Sequence, residues 1–228
     1  MAIAAVIFDF DGLLMDTETS SLASWQHEWR HHGLELNPAT FFADHGGDVT
    51  EQRYAELAAA VGPAFDRAAS HARRISHRNQ LNATLTLSPG IDQWLADAAR
   101  LGLRLAVASS SPRAWVLGHL DTAGALAAFE CLACGDEVGP PKPDPGVYLL
   151  ALRRLGVPAS QAIAVEDSPH GVAAARAAGL RCVAIPNPHA DPARFGAADL
   201  VLASAAQRPL AEVLGRLTPG PGSTASPR

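Results

Sequence analysis

The chain has 228 residues, 48% hydrophobic and 18% charged, enough for one sizeable core and a smaller second unit. A net charge of −5, a pI near 6.0 and the lack of any Lys/Arg block interleaved with aromatics argue against nucleic acid as a partner. No apolar run reaches the roughly 18 residues of a membrane span, the opening AIAAVIFDF has no basic leader, and three cysteines make no disulfide framework, so a soluble cytoplasmic protein, monomer or weak homodimer, is expected.

The first predicted strand, AAVIFDF (4–10), runs apolar through Phe8 and then presents Asp9 and Asp11, with Gly12 directly after. Two carboxylates this close repel one another unless a cation stands near them. From there to about residue 103 the chain reads as helices. SSLASWQHEWRHHG puts Leu22, Trp25 and Trp29 on one face and stops at Gly33. DVTEQRYAELAAAVG opens with Asp48 and Glu51 in capping-box spacing and stops at Gly62, and a third helix is predicted over about 63–80. In the loop DHGGDVT (44–50), His45 and Gly47 are candidate substrate contacts, because glycine permits close backbone approach and imidazole can hydrogen-bond a hydroxylated leaving group. Arg67, His71, Arg74 and Arg78 share one face of the third helix; they could meet a second anionic group on a substrate, but the favoured reading is a solvated face opposite Phe65, Ala68, Ala72 and Ile75.

Further along, LRLAVAS (103–109) leads into Ser109, Ser110 and Ser111, and CLAC (131–134) reads as a strand with its cysteines on opposite faces as buried, inert thiols. Lys142 follows in the loop PPKPDP. AIAVED (162–167) ends in Glu166 and Asp167, with Ser168 and Pro169 starting a helix; CVAIP (182–186) and DLVLAS (199–204) complete six strand runs. Strands alternating with helices predict an α/β fold, a doubly wound, Rossmann-like parallel sheet with an α-helical cap inserted after the first strand. The expected limits are 1–15 and 88–216 for the core and 16–87 for the cap, with hinges near 13–18 and 82–89; the Pro/Gly/Ser-rich 217–228 is expected to be disordered.

In an open parallel sheet the ligand crevice lies beyond the carboxyl ends of the strands, where these polar residues stand. Each has an ordinary alternative as a helix cap or turn residue, but acids, hydroxyls and a lysine at successive strand ends suit phosphoryl transfer. Clustered acids need a hard cation such as Mg²⁺, with Asp9 and Asp167 as natural ligands. Asp9 can then attack phosphorus, Asp11 can serve as general acid, and Lys142 and Ser109 can meet the phosphoryl oxygens.

DFDGLLMDTE, ASSS, KPDP and EDS, in that order from residue 6 to about 186, resemble the four motifs of the haloacid dehalogenase superfamily, and most closely its phosphatase and beta-phosphoglucomutase-like branch. The resemblance implies Asp9 as nucleophile and Asp11 as general acid/base, with the Asp11 carbonyl on Mg²⁺. It also implies Ser109, Ser110 and Lys142 as phosphate contacts, and Asp167 with Glu166 at the metal. The activity it implies is Mg²⁺-dependent hydrolysis of a small phosphorylated metabolite through an aspartyl-phosphate. Mutases of this branch are similar to one another in a histidine just beyond the DT pair and an arginine in a cap loop. Here Ser21 and Val49 or Thr50 stand at those places, which favours phosphatase over the alternative, a sugar-phosphate mutase. A phospho-acceptor module of the receiver type is disfavoured by the cap-sized insert.

Overall fold

Six apolar runs become the strands β1 (Ala5–Phe8), β2 (Arg104–Ala108), β3 (Cys131–Ala133), β4 (Ala162–Glu166), β5 (Arg181–Ala184) and β6 (Leu200–Val201). The computed structural model describes residues 2–43, 49–187 and 190–217. All strands pair in parallel in the order β3-β2-β1-β4-β5-β6, so the sheet winds outward in both directions from the β1/β4 pair, and that switch point is where a crevice opens.

Strand alternation sorts side chains by size. Val6, Phe8, Leu105, Val107, Ile163 and Val165 project to one face, against α5 (Ile91–Arg100), α6 (Arg113–Thr122) and α9 (Leu210–Leu217). Ala5, Ala106, Ala108, Ala162 and Ala164 lie on the other face and accept the larger Tyr148, Leu152 and Leu155 of α7 (Gly146–Leu155), with α8 (Pro169–Ala177) beside it. Small residues on the sheet thus meet large ones on the helix, which keeps both layers close-packed. Cys134 packs on the first face and Cys131 on the second; burial raises both thiols, Cys134 to about 11, so neither is a reactive thiolate near neutral pH.

Between β1 and β2 lie four helices, α1 (Thr17–His31), α2 (Pro38–Ala43), α3 (Thr50–Val61) and α4 (Arg67–Asn82), where three were expected. The additional α2 is a six-residue turn of helix that Asn37 opens by accepting the Ala39 N–H at 2.9 Å. Asp16 caps α1, and Asp66 caps α4 by accepting from the Ala68 and Ala69 N–H groups. The expected capping box on α3 is not what starts it: Val49 is the N-cap with no side-chain bond, Glu51 pairs with Arg67 at 2.6 Å, and Asp48 lies outside the described residues. Leu22, Trp25, Phe41 and Tyr54 form a small core of their own, with the Trp25 and Tyr54 rings 4.6 Å apart. The chain leaves the sheet through Met15 and returns through Leu87, and these two residues form an isolated bridge.

Two expectations need correction. The basic face of α4 is not solvated throughout: His71 is exposed, but Arg67 and Arg78 are half-buried and Arg74 is only 3% exposed, whereas Ala68 and Ala72 face outward. A guanidinium is planar and packs on aromatic rings, and Arg74 lies 4.4 Å from the Trp25 ring centroid, so this arginine takes a place that an apolar residue would hold. At the far end Leu217 is the buried last residue of α9, not the start of a tail; 218–228 lie outside the described residues. Among the described residues no helix is long and apolar enough to cross a membrane.

Candidate active site

β1 hands its last ladder bond to the next residue, with the Asp9 N–H donating to the Val165 carbonyl at 2.9 Å. Because β1 stops at Phe8, both acids lie beyond the regular strand, and their shared mouth is set by a turn rather than by strand alternation. Gly12 makes that turn at φ +77°, and its N–H meets the Met15 carbonyl and the Thr17 hydroxyl. A Cβ at Gly12 would stand 2.1 Å from Asp167 Oδ2, so any side chain there would displace the Asp167 carboxylate.

Lys142 sits 7% exposed at the centre of the site. Its ammonium donates to Asp9 Oδ1 at 2.5 Å, Glu166 Oε1 at 2.6 Å and the Ala108 carbonyl at 2.9 Å, which uses all three protons. Glu166, fully buried at the end of β4, also accepts from the Tyr148 hydroxyl at 2.6 Å and from the N–H groups of Asp167 and Ser168. Its position requires Gly171, where a Cβ would stand 1.9 Å from the Glu166 carboxyl carbon. No donor among the described residues meets the Asp167 side chain.

Asp11 is held differently. Its Oδ1 accepts from the Thr17 hydroxyl and the Trp115 indole N–H, both at 2.9 Å, and its Oδ2 from the Ser111 hydroxyl at 2.6 Å. The Ser109 hydroxyl accepts the Ser111 N–H at 3.0 Å and reaches Asp11 Oδ2 at 3.5 Å, while the Ser110 hydroxyl accepts the Lys142 N–H at 3.3 Å. The serines therefore serve the crevice and not the adjacent helix, since Pro112 is the N-cap of α6 without a side-chain cap bond.

Burial dominates the electrostatics. It pushes Asp9 up to about 8 against the lowering influence of Lys142, with Glu166 and Asp11 adding to the rise. Asp167 is raised well above the usual carboxylate range by burial and then by the charges of Asp9 and Glu166. Burial works to lower Lys142, but the Asp9 and Glu166 carboxylates outweigh it and hold the ammonium above its ordinary value. With one lysine for three buried acids, Asp9 and Asp167 ionise together only when a further cation joins them. The ligand oxygens of the three acids all lie within 4.8 Å of one another, an all-oxygen set of the kind a hard divalent cation takes.

Asp9, Asp11, Ser109, Ser110, Lys142 and Asp167 line a cavity of about 400 Å³, roofed by Trp25, Phe41, Arg53, Arg74 and Arg78. Ser21, Val49 and Thr50 also line it, so the positions singled out by comparison with mutases do face the crevice. Arg53, one turn beyond Thr50, brings an arginine to the same wall, donating to the Phe41 carbonyl at 2.7 Å. His45 and Gly47 lie outside the described residues. Thr17, Trp115 and Tyr148 were not singled out by the sequence, and Ser111 was read only as part of the serine run, with no role of its own. The indole in an SSS-P-x-x-W stretch at a strand end was the available signal for Trp115; Tyr148 sits on α7 with no motif around it.

Residues 6–185 match the family described as haloacid dehalogenase-like hydrolase. The chain belongs to this family. Among the relatives of this hydrolase is Bacillus subtilis YhcW, provisionally named a phosphatase, 34% identical over 94% of this chain and 98% of its own. A solved family hydrolase from Deinococcus radiodurans R1, with bound phosphate and sodium, superposes with a TM-score of 0.79 at 28% identity, covering 96% of this chain and 99% of that one. A Thermotoga maritima structure provisionally titled a beta-phosphoglucomutase gives a TM-score of 0.80 at 25% identity, with 95% and 100% coverage.

Proposed function

We propose that this hydrolase is a Mg²⁺-dependent phosphatase that cleaves a small phosphomonoester through an aspartyl-phosphate on Asp9, with α1 to α4 (about 16–87) acting as its cap. The observation that carries the reading is Lys142 clamped between Asp9 and Glu166 at the floor of a cavity that Asp11, Ser109 and Asp167 also line. The phosphatase name of YhcW and the phosphate bound by the Deinococcus relative support it.

In this reading Asp9 and Asp167 hold the metal, Asp11 adds its backbone carbonyl, and Glu166, already engaged by several donors, fixes Lys142 within the acid cluster. When bound, Mg²⁺ neutralises charge on the phosphoryl oxygens and keeps Asp9 ionised. An Asp9 carboxylate oxygen attacks phosphorus as the ester P–O bond breaks, and Asp11 delivers a proton to the departing alkoxide. Lys142, exchanging its Asp9 contact for a phosphoryl oxygen once Asp9 engages phosphorus, and the Ser109 hydroxyl meet the phosphoryl oxygens as charge spreads over them. In the second half Asp11 takes a proton from water, whose oxygen displaces Asp9 from phosphorus and releases inorganic phosphate. Asp11 must exchange one of its three strong donors for the proton, and rotation of the Ser111 hydroxyl is the smallest movement that allows it.

A sugar-phosphate mutase is the second reading, favoured by the Thermotoga match and by Arg53 on the cavity wall, whereas Ser21 stands where the mutase histidine would be. The test is inorganic phosphate release across sugar, nucleotide and small organic phosphates, with and without Mg²⁺. A phosphatase liberates one phosphate per substrate consumed, only with the metal, and loses this in Asp9→Asn. Conversion to an isomeric phosphoester with no free phosphate would establish the mutase.

A further inference from the structure

We propose that Arg74 and Arg78 form a subsite for a second anionic group, a phosphate or a carboxylate, on the leaving portion of the substrate. The inference rests on the phosphatase reading and narrows its substrate class to phosphomonoesters that carry a further negative charge.

Most arginines that bond to side chains in this molecule have a carboxylate. Arg73 has Glu28 at 2.7 Å, Arg104 has Glu130 at 2.6 Å, Arg154 has Glu137 at 2.6 Å and Arg176 has Asp199 at 2.8 Å. The two α4 arginines on the cavity wall have none within 4.0 Å among the described residues. Arg74 Nε donates to the Tyr54 hydroxyl at 2.7 Å, with its guanidinium 4.4 Å from the Trp25 ring centroid. Among the described residues that leaves the terminal nitrogens without an acceptor. Arg78 lies 4.8 Å from the Trp115 ring centroid, and its Nε is buried with no hydrogen-bond partner. An aromatic face stabilises the charge but accepts none of the in-plane N–H groups, which still seek oxygen.

The pair is also self-repelling, one helical turn apart on α4. Burial and then the Arg74 charge hold Arg78 below the ordinary arginine range, with Asp11 and Glu18 offsetting part of that. Paired guanidinium groups match a phosphate or carboxylate, which would satisfy the donors and relieve the repulsion. The cavity places them opposite the acid floor: Lys142 is already balanced by Asp9 and Glu166, so the uncompensated positive charge is on the cap wall. At about 400 Å³ the space is of ordinary size for a small-molecule site, roughly 300–1,000 Å³.

The test compares matched substrates: fructose 6-phosphate against fructose 1,6-bisphosphate, and glycerol 3-phosphate against 3-phosphoglycerate. The wild-type protein is expected to favour the more charged member of at least one pair by about tenfold or more in kcat/KM, the scale of a charge-assisted hydrogen bond. The pair that shows the preference tells phosphate from carboxylate. Arg78→Met should bring the ratio to within about threefold of unity, and Arg78→Lys should retain part of it. Release from both members of each pair without preference, or a preference that survives Arg78→Met, overturns the subsite. Should no phosphate be released from any substrate, the phosphatase reading falls, and calorimetry on Asp9→Asn protein still decides the subsite. Binding of fructose 1,6-bisphosphate or 3-phosphoglycerate more tightly than its partner, and only with Arg78 present, sustains it; equal affinities overturn it.

Discussion

The floor and the roof of the cavity handle buried charge in opposite ways. On the floor every charged group is answered from within the chain, except the surplus of carboxylate at Asp9 and Asp167: Lys142 spends three protons on Asp9, Glu166 and the Ala108 carbonyl, and Asp11 collects Thr17, Ser111 and Trp115. On the roof Arg74 and Arg78 rest on aromatic rings with no carboxylate within 4.0 Å among the described residues. One side is short of a cation and the other of an anion, which is the polarity a metal-bound phosphoester with a charged tail would complete. Pre-arranged sites of this kind cost the folded chain stability that ligands restore.

The largest effect expected on this contrast comes from Asp9→Asn, which should lower phosphate release by at least about 10³-fold, as removal of a nucleophile does in a concerted site. The same variant reads out the electrostatics. Asp9 has a folded-state pKa raised from 3.8 to about 8, so its contribution to stability is complete below about pH 4 and is lost as pH rises through about 8. With a chelator present, thermal melts from pH 5 to 8 should show wild type losing stability relative to Asp9→Asn, and added Mg²⁺ should reverse that loss; parallel melting curves would contradict the assignment. Lys142→Met breaks the buried cluster and should destabilise the protein by about 3–5 kcal/mol in urea unfolding.

Gly12→Ala is next. Its Cβ would fall 2.1 Å from Asp167 Oδ2 at φ +77°, and a displaced Asp167 should weaken Mg²⁺ affinity by about 10–100-fold, measured by calorimetry. Trp115→Phe keeps an aromatic ring beneath Arg78 but removes the indole donor to Asp11, for about 1 kcal/mol, visible as a shift in the pH profile of kcat with a smaller change in KM.

How much of this was legible in sequence differs along the same line. The strand ends were readable because parallel strands buried on both faces write near-continuous apolar runs, against which Asp9, Ser109, Glu166 and Asp167 stand out. The first strand was read too long, as 4–10: β1 spans Ala5–Phe8, and the chain then turns at Gly12 with both acids beyond the strand. The roof was misread for a physical reason. Periodicity treats arginine as a solvent-facing residue, yet Tyr54 and Trp25 supply ring faces that hold Arg74 at 3% exposure while Ala68 and Ala72 turn outward. Tyr148 and Trp115 reach the site from helices that neighbour it only in the folded sheet, and Gly171 matters only through the approach of Glu166; none leaves a local pattern.

The central claim is that the floor performs phosphoryl transfer through Asp9. Acid quench during steady-state turnover of a hydrolysed substrate, followed by mass spectrometry of the peptide carrying residues 6–18, tests it most directly. The account predicts a phosphoryl group on Asp9 that forms only with Mg²⁺, accumulates further in Asp11→Asn once loaded, and decays with release of free phosphate. Turnover at full rate with no phosphoryl group on Asp9, or with one on another residue, would contradict it.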